Sequence, residues 1–268
     1  MSQNQVSGGL TTARIDEALK NATETKMFWL GEDTLGRVPE MFKALFPGQK
    51  ACLVMDRNTL AAAGREVYAA MNAAGVDVVR PHVFEQSPHC DEAAVTSVQN
   101  YLREQGAVAV SVGSGRLNDI CKVASFRVNQ SYLCVATAAS VDGYASCGAP
   151  MTVNGFKKTT PCPAPKGILA DIGVLQRAPY PMTAAGYGDL MAKVTGGADW
   201  IIADIICGGG DTIQPVPWQM VQAPLEDWIK HPYELKNGDA AAFSDLFEGL
   251  TVSGFAMQAA QSSRPASG

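Results

Sequence analysis

Between Lys50 and Ala136 short apolar runs alternate with amphipathic ones, and no other feature narrows the possible folds as much. Lys50–Met55 (KACLVM), Val76–Phe84, Ala107–Val112 and Tyr132–Ala136 are rich in aliphatic and β-branched side chains. A strand that is apolar along its whole length must be covered on both faces, as in a parallel sheet between two layers of helices. The intervening segments carry apolar residues at helical spacing: Leu60–Ala74, Asp91–Gln105, and the stretch from the Gly113-Ser114-Gly115 loop through Ser125. Gly75 and Gly106 follow the first two in the place of helix-terminating glycines, and Asp91 opens the second as an acidic cap. Lys26–Leu30 and Val38–Phe46 extend the pattern upstream as a strand and a helix. The rhythm predicts an α/β sheet with helices on both faces.

The rhythm breaks after Ser146. MTVNGFKKTT sets Asn154-Gly155 between two β-type segments, which signals a hairpin, and Pro161, Pro163 and Pro165 predict an extended connector. Ile168–Leu175 is then expected as the last strand. Beyond Pro179 and Pro181 the pattern turns helical, over Thr183–Val194, Trp200–Ile206, Pro224–His231, Ala240–Glu248 and Thr251–Gln261. The expected organisation is an α/β domain over 1–178 and an all-α domain over 179–268.

The net charge of −5, with no basic or aromatic-interleaved run, argues against nucleic acid as a partner. No apolar stretch approaches the ~20 residues that span a bilayer, so membrane insertion is not expected. The opening MSQNQVSGGLTT has neither the charged nor the apolar region of a secretory signal, and the cytoplasm is the expected compartment. The seven cysteines are scattered with none at C-x-x-C spacing, and most read as small buried side chains.

Two segments and one earlier acid bring polar groups to the ends of strands, where open α/β sheets bind ligands, and a third segment lies on the expected first helix of the second domain. In VAVSVGSGRLNDICK, Gly113-Ser114-Gly115 turns a strand into a helix whose N-terminus offers N–H groups and a positive dipole end to a phosphate. Asn118 replaces the third glycine of the dinucleotide fingerprint, and no Gly-Lys-Ser/Thr follows, so the motif alone fits a phosphate cradle or a plain tight turn equally. Asp56, at the end of an earlier strand, is placed to bind a ribose hydroxyl and repel a 2′-phosphate, favouring NAD over NADP, or simply to cap a turn. VATAASVDGYAS gathers Thr137, Ser140, Asp142 and Ser146 at a strand end, although such clusters also serve as turn and capping segments. In PMTAAGYGDLMAK, Asp189 and Lys193 have the i, i+4 spacing of a helical ion pair; a metal role for Asp189 needs partners from elsewhere.

Taken in series, GSGRLNDICK (113–122), VATAASVDGYAS (135–146), PKGILADIGVL (165–175), TAAGYGDLMAK (183–193) and SSRPASG (262–268) resemble the glycerol-1-phosphate dehydrogenase branch of the iron-containing alcohol dehydrogenase and dehydroquinate synthase superfamily. The likeness runs from about Lys50 to the end of the chain. It implies a Rossmann-like α/β domain followed by an all-α domain of the dehydroquinate-synthase type. It implies a pyrophosphate cradle at Gly113, Ser114 and Gly115, closed by Arg116 and Leu117. Further NAD or NADP contacts fall at Thr137, Ser140 and Ser146, and an adenosine-ribose contact at Asp56. Asp142 corresponds to a substrate-binding acid. Asp189 corresponds to the catalytic acid that ligates a divalent metal, zinc or nickel, and faces the substrate.

The implied reaction interconverts sn-glycerol 1-phosphate and dihydroxyacetone phosphate, with a small phosphorylated polyol as partner and a homo-oligomer as the working form. In the family, SSRPASG runs into an acidic residue and histidines, two of which complete the metal site. His82, His89 and His231 match none of those positions, so the resemblance implies a helical domain that is incomplete within Met1–Gly268, with Asp189 as its one metal ligand. Arg264 is expected near substrate phosphate. A glycerol or polyol dehydrogenase of the same superfamily, and a nucleotide-binding fragment without redox chemistry, are the alternative readings.

Overall fold

A computed structural model of the chain describes residues 12–153, 155–206 and 212–266. The hairpin residue Asn154, Cys207, the opening residues 1–11 and the last two residues of SSRPASG lie outside the described residues. In chain order the first half holds α1 (Ala13–Asn21), β1 (Met27–Gly31), α2 (Val38–Leu45), β2 (Lys50–Asp56), α3 (Arg57–Thr59), α4 (Arg65–Ala73), β3 (His82–Phe84), α5 (Glu92–Gln105), β4 (Ala107–Gly113), α6 (Gly115–Arg127) and β5 (Leu133–Ala136). The hairpin strands β6 (Ala149–Val153) and β7 (Phe156–Thr160), then β8 (Gly167–Asp171) and α7 (Ile172–Gln176), lead into the helical half. That half comprises α8 (Tyr180–Ile206), α9 (Pro215–Gln222), α10 (Leu225–Ile229), α11 (Pro232–Lys236) and α12 (Ala240–Ala260).

Six strands form one sheet in the order β1-β8-β5-β4-β2-β3, every pair parallel, while β6 and β7 make a separate antiparallel hairpin. Side chains alternate between the two faces. Cys52 and Val54 of β2 enter one apolar cluster with Val95, Val98 and Ile120 of α5 and α6. Ala51, Leu53 and Met55 enter the other with Met41, Val67 and Met71 of α2 and α4. Burial on both faces is why these strands read as continuous apolar runs. The first cluster continues into the helical half. Phe28 of β1 stacks on Phe247 at 6.2 Å and meets Phe255 edge-on at 6.1 Å, both from α12.

From β2 the chain steps outward to β3, then crosses back to β4 on the other side of β2. The reversal opens a crevice at the carboxyl ends of β2 and β4, the place where open α/β sheets take their ligands.

Several expected boundaries differ, each for a local reason. Val76–Phe84 is not one strand: Val78 makes a single bridge to Ala51, and regular pairing with β2 is confined to β3. Pro81 has no N–H to give a ladder, which interrupts the run. Ile168–Leu175 divides at Asp171, whose Oδ1 accepts the Val174 N–H at 3.1 Å and starts α7. The helix expected from Leu60 begins a turn earlier, at Arg57, and passes through a π-helical stretch over Leu60–Gly64 before α4.

In the helical half the expected segments fuse. Thr183–Val194 and Trp200–Ile206 are parts of α8, and Ala240–Glu248 and Thr251–Gln261 correspond to the single helix α12. The glycines in the expected gaps are contact positions and not helix ends. A Cβ on Gly197 would fall 2.5 Å from Gln222 Nε2, and one on Gly249 would fall 2.8 Å from the Trp228 ring. The helices α1, α9 and α11 are additions that periodicity did not reveal. Among the described residues, no helix is long and apolar enough to cross a membrane.

Candidate functional site

The glycine loop sits at the end of β4, on the rim of the crevice. Ser114 is the N-cap of α6 and its side chain makes no capping bond. The first turn of a helix leaves its N–H groups without intrahelical partners, so Gly115, Arg116 and Leu117 present donors at this rim. Packing excludes a side chain at the first glycine and crowds one at the second. A Cβ on Gly113 would fall 2.5 Å from Leu117 Cδ1, and one on Gly115 would fall 3.1 Å from Val141 Cγ2. Leu117 is buried and Arg116 is exposed. An uncapped N-terminus on a helix of 13 residues, reached by a glycine-flanked turn, fits the phosphates of a dinucleotide.

Asp56 closes the neighbouring strand. Val54 lies opposite Ser111 in the parallel register, so two residues further on Asp56 comes level with Gly113. Its position before the glycine loop in sequence is therefore no obstacle to sharing a ligand. The side chain is 3% exposed and enters a reciprocal cap: Oδ1 accepts the Thr59 N–H at 2.8 Å, while the Asp56 N–H donates to Thr59 Oγ1 at 3.0 Å. The capping alternative for Asp56 is thus realised, at the strand end level with the glycine loop.

The loop after β5 supplies the next group. The Thr137 N–H donates to the Gly113 carbonyl at 3.1 Å, tying this loop to the glycine turn. Thr137, Ser140 and Ser146 are buried, and Ser146 Oγ donates to the Gly143 carbonyl at 3.3 Å. Lys122 of α6, which sequence reasoning passed over, and Asn118, read from sequence only as a departure from the glycine fingerprint, hold the loop in place. The Lys122 ammonium is fully buried and donates to the carbonyls of Gly143, Ser146 and Gly148 at 2.9, 2.8 and 3.0 Å. Asn118 Nδ2 donates to Gly143 at 3.1 Å, and its Oδ1 accepts from the Tyr132 hydroxyl at 2.8 Å. A lysine within the apolar helix GRLNDICKVAS was the available sign, because a buried lysine needs acceptors for all three of its protons.

Helix α8 completes the arrangement. Gly186 lets it lie against the loop, for a Cβ there would fall 2.0 Å from the Ala139 carbonyl oxygen. Lys193 Nζ donates to Asp142 Oδ2 at 2.7 Å and to Asp189 Oδ1 at 3.2 Å, while Asp189 Oδ2 accepts the Asp142 N–H at 2.7 Å. Burial pushes the Asp142 carboxyl above its ordinary range; Lys193 opposes that push and Asp189 adds to it. These residues line a cleft of about 420 Å³ with Ser146, Thr159 and Met257. One face of the site therefore pairs an uncapped helix N-terminus with the strand-end acid Asp56, and the other holds two carboxylates around one ammonium.

A divalent metal is a separate matter. Among the described residues, no group of three or more His, Cys, Asp or Glu side chains is arranged to hold an ion. Asp189 and Asp142 share the Lys193 ammonium, and a divalent ion needs about three protein ligands. By themselves the described residues do not fit one. His82 stands at the start of β3, and His231 lies within 3.8 Å of Glu234, away from the cleft. Arg264 donates to Asp199 Oδ2 at 3.1 Å.

A family model described as iron-containing alcohol dehydrogenase matches residues 29–179, more than half of the chain. The glycerol-1-phosphate dehydrogenase (NAD(P)+) of Bacillus velezensis is 36% identical over 228 residues, covering 82% of this chain and 57% of that protein. Its namesake from Bacillus subtilis is 34% identical over 223 residues, covering 82% of this chain and 56% of its own length. The chain thus spans a little over half the length of these relatives. The solved structure of glycerol dehydrogenase from Schizosaccharomyces pombe superposes with a TM-score of 0.74 at 16% identity, over 89% of this chain and 62% of that one. At that identity the likeness is one of fold, and it matches the parallel sheet and helical second half. This chain belongs to the iron-containing alcohol dehydrogenase family.

Proposed function

We propose that this chain carries the cofactor-binding half and part of the substrate-binding half of an NAD(P)-dependent dehydrogenase interconverting sn-glycerol 1-phosphate and dihydroxyacetone phosphate. The carrying observation is the crevice at the reversal of strand order, with the Gly113-Ser114-Gly115 loop on one strand end and Asp56 on the next. The names of the Bacillus relatives supply the substrate class.

In this reading the N–H groups of Gly115, Arg116 and Leu117 neutralise the pyrophosphate, and Ser114 shapes the turn beneath it. Asp56 accepts from the adenosine ribose, while Thr137, Ser140 and Ser146 border the nicotinamide end. Bound NAD(P) supplies the acceptor or donor of the hydride. Asp142 and Asp189 face the polyol, with Asp142 accepting from its hydroxyl groups. The buried Lys193 keeps two adjacent carboxylates from repelling one another as they do so.

The zinc or nickel ion implied by the family takes Asp189 as its carboxylate ligand in this reading, with the remaining donors coming from outside the described residues. The residues up to 178 serve the nucleotide and lend Asp142 to the substrate side, which those from 179 complete. The reading extends to a homo-oligomer, supported by the exposed Ile201, Ile202, Ile205 and Ile206 on α8. The cytoplasm is its compartment, in keeping with described cysteines that are free and, apart from Cys147, buried.

The test is NAD(P)H formation from sn-glycerol 1-phosphate, with glycerol as the competing substrate, in the presence of zinc or nickel. Turnover that favours the phosphorylated polyol supports the reading, and equal or better use of glycerol sinks the substrate assignment. NAD binding without turnover of either favours a nucleotide-binding segment.

A further inference from the structure

Asp56 and Phe84 are opposite one another in the β2–β3 register, so Arg57 and Glu85 are the first residues past the two strand ends. Their side chains meet there. Arg57 Nε donates to Glu85 Oε2 at 2.7 Å, and Arg57 Nη2 donates to the same oxygen. The two side chains are 67% and 75% exposed, so the pair is solvated and holds little of the fold together. Asp56 is different. Its carboxylate is buried in the reciprocal cap with Thr59 and has a fixed position. At this strand end the acid is fixed and the guanidinium is the group free to exchange partners.

In dinucleotide-binding sheets the ribose acid ends the strand beside the glycine-loop strand, and an arginine nearby accommodates a 2′-phosphate. Here β4 carries the glycine loop, β2 is its neighbour, and the chain leaving β2 begins with Arg57. A phosphate monoester offers a guanidinium two oxygens at once and carries more charge than the lone Glu85 carboxylate oxygen. We infer that Arg57 is the contact for the 2′-phosphate of NADP and that Glu85 competes for it. With Glu85 engaged the site takes NAD. With Glu85 displaced into water it takes NADP. This inference rests on the cofactor site proposed above.

The test compares AMP with adenosine 2′,5′-bisphosphate, which differ by the 2′-phosphate alone, in calorimetric titrations of the wild type, Arg57→Met and Glu85→Gln. Both substitutions replace exposed side chains whose ion pair holds little of the fold together. Arg57→Met is expected to weaken the bisphosphate at least about tenfold while AMP changes by less than about twofold. Glu85→Gln is expected to strengthen the bisphosphate several-fold without affecting AMP. If AMP binds and neither substitution alters the ratio of the two affinities, the inference is overturned and the cofactor site stands. If the wild type binds neither ligand, the cofactor site and the inference fall together.

Discussion

Lys193 Nζ lies 2.7 Å from Asp142 Oδ2 across 51 residues of sequence, and this contact joins helix α8 to the loop beyond β5. The ammonium is 1% exposed, while the Asp142 and Asp189 side chains are 19% and 30% exposed toward the cleft. Replacing Lys193 with methionine removes the ammonium that bridges two adjacent carboxylates. The expected loss in unfolding free energy is ~3 kcal/mol, at the low end for a broken buried pair because both acids touch the cleft. Asp142→Asn in the same chain recovers part of the loss. A urea midpoint unmoved by Lys193→Met contradicts this account.

Asp119 gives a pH prediction. Burial pushes its carboxyl up to about 7, with Lys122 pulling the other way and the Asp142 charge adding to the push. The unfolded chain loses this proton near the ordinary value of 3.8, so between there and about 7 the folded state holds a proton the unfolded state lacks. The stability this group contributes is full below the unfolded value and is lost as pH rises through the folded one. Asp119→Asn therefore gains on the wild type across that window, by up to ~1.4 kcal/mol per pH unit. Urea midpoints at pH 4, 5.5 and 7 check it, and parallel profiles for the two proteins count against it.

Two glycines of α8 are expected to respond in opposite directions. A Cβ on Gly186 overlaps the Ala139 carbonyl, whereas one on Gly188 has nothing within 4 Å. Gly186→Ala forces helix and loop apart and is expected to cost ~3 kcal/mol. Gly188→Ala relieves a flexible helical position and is expected to add ~0.5–1 kcal/mol. Thermal melts of the two variants decide the matter, and equal melting temperatures contradict the packing described.

Lys122→Met removes a fully buried donor from three carbonyls and leaves them unsatisfied. The expected cost is ~3 kcal/mol, with faster amide exchange in the 142–148 loop than in β4. Exchange that quickens in both segments alike points to general destabilisation and not to a clamp on this loop.

What the amino-acid sequence revealed were features whose causes are local. The runs of β2 and β4, the Asp91 cap and the left-handed Gly106 each follow from a few adjacent residues. Boundaries failed where one side chain outweighed the pattern, as at Pro81 and Asp171. The expected breaks between Val194 and Trp200 and between Glu248 and Thr251 did not occur, because Gly197 and Gly249 answer to a neighbour, Gln222 or Trp228, from another helix. The candidate site divided in the same way. The glycine loop was readable as a strand-to-helix turn, but its reach to Asp56 depends on strand order. Lys122 and Lys193 acquire meaning only from acceptors brought to them by the tertiary fold.

The proposed function stands on a dinucleotide seated on the Gly113 loop. Titration of the folded chain with NADH, followed by its fluorescence, tests this claim most directly, with Gly115→Val as the comparison. A valine at 115 directs bulk at Val141 and over the N-terminus of α6. The account predicts saturable binding by the wild type and an affinity at least about tenfold weaker in Gly115→Val. Absence of saturable binding by the wild type, or equal affinity in the two proteins, contradicts it.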